Sequence, residues 1–103
     1  MLDQRSLELH RLIAAKLTLD PILFDGVQVT LKRWAIIVDR GTQPYVQRWQ
    51  VVVDQGIDAA IALATEESDR GNDMRQASPF GSVLTARERA AFLKRWELDH
   101  ASV

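Results

Sequence analysis

The sequence predicts an all-α fold, a compact bundle of about five helices within one domain spanning 1–103. Three observations predict it. Apolar residues recur at intervals of three and four over most of the chain, the spacing that lines one face of an α-helix. Asp20-Pro21, Gly41 to Pro44, Gly56, Gly71 and Ser78 to Gly81 punctuate the chain into pieces of helix length. Thr85-Ala-Arg-Glu88 is a capping box, in which the threonine oxygen accepts from the N3 backbone N–H and the glutamate reaches back to the N-cap N–H.

The first helix, about 3–18, carries Leu9, Leu12, Ile13 and Leu17 as its apolar stripe. Asp20 reads as an N-cap for the second helix, with Pro21 at the first helical position, where the missing N–H costs nothing. Leu23, Val27, Leu31, Trp34 and Val38 then follow at spacings of four, four, three and four, with Gly41 as the stop. Thr42 to Pro44 opens a third helix whose apolar members are Tyr45, Trp49, Val52 and Val53. A fourth, from about Ile57, carries Ile61 and Ala64 and turns polar beyond Thr65. The last follows the capping box, and Phe92 and Trp96, four apart, are expected to face the body of the fold.

Residues 27 to 53 carry a competing signal. Val27-Gln-Val-Thr-Leu-Lys alternates with period two, and 34–38 and 51–53 are rich in β-formers, so a hairpin closed at Gly41 to Pro44 would give an α+β fold instead. The Asp-Pro start and the helical spacing favour helix.

Composition narrows the function classes. At 103 residues, 47% hydrophobic and 26% charged, the chain can bury a modest core. Without cysteine there is no disulfide, thiolate zinc site or cysteine nucleophile, as suits a reducing cytoplasm. The N-terminus shows no secretory signal pattern. No run approaches the roughly 20 apolar residues of a membrane span. The chain is therefore expected to be cytoplasmic. Its net charge of −1 gives no global attraction to nucleic acid. The charge is nevertheless uneven: Asp54, Asp58, Glu66, Glu67, Asp69 and Asp73 share their stretch with the single base Arg70. Such a stretch is either a solvated helix face or a surface that steers a basic partner.

No set of residues assembles a catalytic centre. His10 and His100 sit near opposite ends with no carboxylate at ligand spacing, so neither a metal nor another cofactor is expected. Ser6, Ser68, Ser78, Ser82 and Thr85 lie in no nucleophile-elbow context and read as caps and turns. Glu66, Glu67 and Asp69 are paired carboxylates, but on a polar segment that offers no pocket to shift their pKa values. Lys32, Arg33, Arg40 and Arg48 cluster around one helix junction and could serve a DNA-binding regulator of helix-turn-helix type. A homodimer with Trp34, Trp49 and Trp96 at its interface is a third reading.

The segment from Met74 to Leu84 joins two helices and places Arg75 and Gln76 before a rigid Ser78-Pro79-Phe80 turn. Either Phe80, Val83 and Leu84 close the core, or an ordered loop presents Arg75 and Phe80 to a partner, since aromatic and arginine anchors dominate interfaces. The partner-binding candidates are thus Glu66, Glu67, Asp69, Asp73, Arg75, Ser78, Pro79 and Phe80.

Arg5 to Leu17, Trp34 with Tyr45 and Trp49, and Arg75 to Phe80 running into Val83-Leu-Thr-x-Arg-Glu-Arg89 together carry a likeness. In them the sequence resembles small bacterial proteins encoded beside nucleotidyltransferase-like proteins in toxin–antitoxin operons. The resemblance covers most of the chain and brings no catalytic residue. It implies the antitoxin role: a non-catalytic member that binds and neutralises a larger operon-encoded toxin enzyme. Only about the last five residues read as free, so inhibition would use the folded surface rather than a wrapping tail.

Overall fold

A computed structural model describes residues 3–101. They form six α-helices: α1 Gln4–Leu19, α2 Phe24–Ile37, α3 Gln43–Asp54, α4 Ile57–Ala64, α5 Asp69–Gln76 and α6 Ala86–Asp99. Short 3-10 turns at Pro21–Leu23 and Gly81–Val83 complete the order, and no strand occurs among the described residues. The all-α reading holds with one helix more than expected, and the hairpin at 27–53 is not formed. Residues 102 and 103 of the expected free tail lie outside the described residues.

Each boundary has a local cause. Asp3 caps α1 by accepting from the Ser6 N–H at 3.0 Å. Asp20 does not cap α2 with its side chain. Its carbonyl instead accepts from the Leu23 N–H, and the 3-10 turn it begins hands over to α2 at Phe24. Nor does Gly41 end α2. The helix stops at Val38, whose backbone is extended, and the Asp39 carboxylate folds the following turn by accepting from the Thr42 N–H. The Gln43 amide donates to the Ala35 and Val38 carbonyls at the end of α2, each at 3.2 Å. Gly56 starts α4 at φ 117°, a backbone region that side chains with a Cβ rarely adopt. The Thr85–Glu88 capping box at α6 is present in both its bonds.

Helix α5 is the element that sequence reading missed. Gly71 was expected to punctuate, yet it sits buried inside this helix. A Cβ there would lie 2.2 Å from the backbone oxygen of Glu66, so only glycine lets α5 pass so close to the end of α4. Ser68 caps the helix by accepting from the Gly71 N–H at 3.0 Å.

One core cluster joins α1 to α5 and the 80–84 segment, built on Ile13, Leu17, Val27, Leu31, Trp49, Val53, Met74 and Phe80. Two expected stripes are rotated. In α1 the buried residues are Leu7, His10, Ile13 and Leu17, whereas Leu12 is exposed. In α3 they are Val46, Trp49 and Val53, with Tyr45 and Val52 half-buried beside them. The rotation of α1 is possible because His10 finds hydrogen-bond partners for both ring nitrogens inside the fold. Trp49 is fully buried, donating to the Met74 carbonyl at 2.9 Å, so it cannot lie at a self-interface. Helix α6 buries no residue completely; Phe92 and Trp96 are half-buried in a shallow groove against Gln4 and Glu8 of α1.

Candidate functional site

The structure separates seven of the eight candidate residues into an outer and an inner group. Glu66, at the junction after α4, pairs with Arg70 and accepts from the Ser68 hydroxyl. The Arg70 hydrogen bonds, then that of Ser68, pull its pKa down to about 2. Glu67 is exposed and forms an ion pair with Arg11 of α1. Asp69 and Asp73 are exposed on α5. Among the described residues, neither they nor Asp54 and Asp58 have a cation within ion-pair distance.

Arg75, Pro79 and Phe80 form the inner group: of the two readings of this segment, closure of the core by Phe80, Val83 and Leu84 is the one the structure shows, and neither Arg75 nor Phe80 is presented outward. Arg75 is 3% exposed and Phe80 1%. Phe80 packs edge-on against Trp49, with ring centres 5.2 Å apart, and against His10. Burying a phenylalanine side chain is worth about 1.5–3 kcal/mol relative to exposure, which fixes this direction. The Arg75 guanidinium turns under the end of α4, where one nitrogen donates to the carbonyls of Glu66 at 2.8 Å and Ala64 at 3.3 Å. A cation at the C-terminal end of a helix also complements its dipole. Its Nε and Nη2 are buried without a hydrogen-bond partner among the described residues.

Ser78 belongs to neither group. Its hydroxyl donates to His10 Nε2 at 2.7 Å, and His10 Nδ1 donates to the Ser6 carbonyl at 2.7 Å. This is the order of groups in a nucleophile–base pair. Here the imidazole is 4% exposed, while the serine is half-buried and its oxygen also accepts from the Phe80 N–H. Nothing local in the sequence marks the histidine's partner, 68 residues away.

Helices α3, α4 and α5 enclose an open groove of about 740 Å³. Val51, Val52, Leu63 and Met74 supply apolar lining, and Arg48, Glu66 and Arg70 add charge. Of these, sequence reading had singled out only Glu66 as a partner-binding residue. The signal it passed over is Val51, an apolar residue on the outer side of α3 that the core does not use. Asp58, Asp69 and Asp73 do not line the groove; they lie next in sequence to its lining residues Ala59, Arg70 and Met74 on α4 and α5. The four cations considered for DNA binding are divided: Lys32 and Arg33 are exposed on α2, Arg40 lies in the turn, and Arg48 lines the groove.

No three histidine, aspartate or glutamate side chains gather as a metal site among the described residues. Nor is any described helix long and apolar enough to cross a membrane. In comparison with known proteins, the chain matches no family model, no curated protein and no solved structure.

Proposed function

We propose that this protein is a non-catalytic, antitoxin-like binding protein that docks its α3–α4–α5 face on a larger enzyme encoded beside it. The observation that carries the reading is an open, partly apolar groove on helices that also carry exposed carboxylates, Asp58, Asp69 and Asp73, with no ion-pair partner among the described residues. Apolar lining gives a partner desolvated contact, while unpaired surface carboxylates speed its approach and select a basic face. A nucleotidyltransferase-like toxin handles polyanionic substrates and so presents such a face. The partner resides in the cytoplasm, and this protein with it. The DNA-regulator reading draws less support, because Lys32 and Arg33 stand among exposed aliphatic residues rather than in a continuous basic strip.

The test is co-expression with the neighbouring reading frame and purification through a tag on one chain. The expected result is a complex stable at moderate salt, together with rescue of growth from the neighbour's toxicity. Failure to co-purify combined with failure to rescue overturns the reading.

A further inference from the structure

The outer face of α2 and of the turn before it carries a second stripe, opposite the one that enters the core. Ile22, Val29 and Ile36 fall seven residues apart and are 71%, 64% and 84% exposed. Asp25 lies four residues before Val29, and Lys32 and Arg33 three and four after it, all exposed. Spacings of three, four and seven put Asp25, Val29, Lys32, Arg33 and Ile36 on one face of α2, and Ile22 lies in the 3-10 turn that leads into it. The core on the far side takes Phe24, Val27, Thr30 and Leu31, so the fold itself leaves this stripe unused.

The pattern is self-complementary when read in reverse. Residues equidistant from Val29 are matched in kind: Ile22 with Ile36, and Asp25 with Arg33, with Lys32 beside it. We infer that α2 is the contact face of a two-fold symmetric dimer, in which a second copy packs antiparallel across an axis through Val29. Val29 then meets its own counterpart, Ile22 meets Ile36 of the second copy, and Asp25 meets Arg33 and Lys32. An isologous contact requires this kind of palindromic match. A partner of one charge sign would be matched by a stripe of the opposite sign, whereas this one holds both signs, placed to pair with themselves.

One helix crossing covers less than the roughly 800 Å² per partner of a standard stable interface. The dimer is therefore weak and exchanges quickly with the monomer. The stripe shares no residue with the α3–α5 groove, so dimerisation leaves both grooves free and makes the protein bivalent toward its enzyme partner. The inference does not depend on that partner's identity.

Sedimentation velocity on the isolated full chain, from about 1 μM to 1 mM, tests it. The expected result is a concentration-dependent rise from monomer to dimer mass. Val29→Glu, which sets two carboxylates against each other on the axis, abolishes the rise. Asp25→Arg weakens it at least tenfold, and adding Arg33→Asp restores it. All three positions are exposed, so circular dichroism should show unchanged helicity. The absence of cysteine allows a second measurement that needs no loss of function. Val29→Cys should form a disulfide-linked dimer under mild oxidation, whereas Ile36→Cys, which faces Ile22, should not. A monomer throughout the range overturns the proposal, as does a charge swap that fails to restore association or an Ile36→Cys variant that cross-links better than Val29→Cys. Binding of a DNA duplex at physiological salt, lost on charge reversal at Lys32 and Arg33, would also overturn it and assign the face to nucleic acid.

Discussion

The hydroxyl of Ser78 donates to the buried Nε2 of His10 at 2.7 Å, tying α1 to the turn that delivers Phe80 into the core. The imidazole must be neutral at Nε2 to accept this bond. Burial lowers the His10 pKa below 6.5, and the nearby positive charges of Arg75 and Arg89 lower it further, against an opposing contribution from the Ser6 carbonyl. In the unfolded chain the same group titrates near its ordinary value. As pH falls through 6.5, the unfolded state takes up the proton more readily and stability declines; above that value the contribution is fully present. Urea midpoints at about pH 7.5 and 5.5 should therefore fall more steeply for the native chain than for His10→Gln. The substitution itself should cost about 1–3 kcal/mol at the higher pH, because it disturbs two buried hydrogen bonds. Equal slopes in the two proteins would exclude His10 as the titrating group.

Gly71→Ala offers a contest between two effects of opposite sign. Helix propensity alone favours alanine, by less than the roughly 1 kcal/mol of a helix interior because Gly71 lies in the first turn of α5. The new methyl, however, would sit 2.2 Å from the Glu66 backbone oxygen, a contact that only a backbone shift can relieve. Overpacking of this kind costs about 1–3 kcal/mol, so a net loss is expected in chemical denaturation. A stabilised variant would show that α5 does not approach α4 this closely.

Arg75→Met separates a structural arginine from a binding one. The methionine keeps much of the buried stem volume and removes two N–H groups that have no partner. It also strands the Glu66 and Ala64 carbonyls at the end of α4. The stranded carbonyls outweigh the relief, and a loss of about 1–3 kcal/mol is expected. Partner capture, measured on the folded variant at low temperature, should be unchanged. Loss of capture at full stability would return Arg75 to the interface.

The helical class was legible because periodicity and capping act over a few residues: Thr85 and Glu88 announce α6, and Val27, Leu31 and Trp34 announce α2. What stayed hidden depends on residues far apart. Nothing near Gly71 says that a carbonyl of the preceding junction will press on it, so the glycine reads as a break rather than as the interior of α5. The stripe of α1 is misplaced because a histidine counts as polar until Ser78 and the Ser6 carbonyl are known to satisfy it. The acidic stretch was visible as composition, whereas the groove beside it needs three helices to exist. Arg75 and Phe80 carry the residue types of an interface, and their burial follows from the shape of the core, which the sequence does not display.

Two sets of substitutions distinguish the docking surface from the scaffold beneath it. Asp69 and Asp73 are exposed and make no ion pair among the described residues, so Asp69→Lys with Asp73→Lys should cost only about 0.5–2 kcal/mol, chiefly because Asp69 complements the dipole in the first turn of α5. Reversing two steering charges should nevertheless slow association with the enzyme partner by about tenfold or more, with the deficit shrinking as salt is raised. Phe80→Ala should do the reverse. It removes a ring packed on Trp49 and costs about 3–5 kcal/mol, yet the fraction that remains folded should associate at the native rate. Stopped-flow association rates at two salt concentrations, read beside denaturation curves, separate the two effects. Native association by the double aspartate variant would remove the acidic face from the binding surface and leave the apolar groove to account for it.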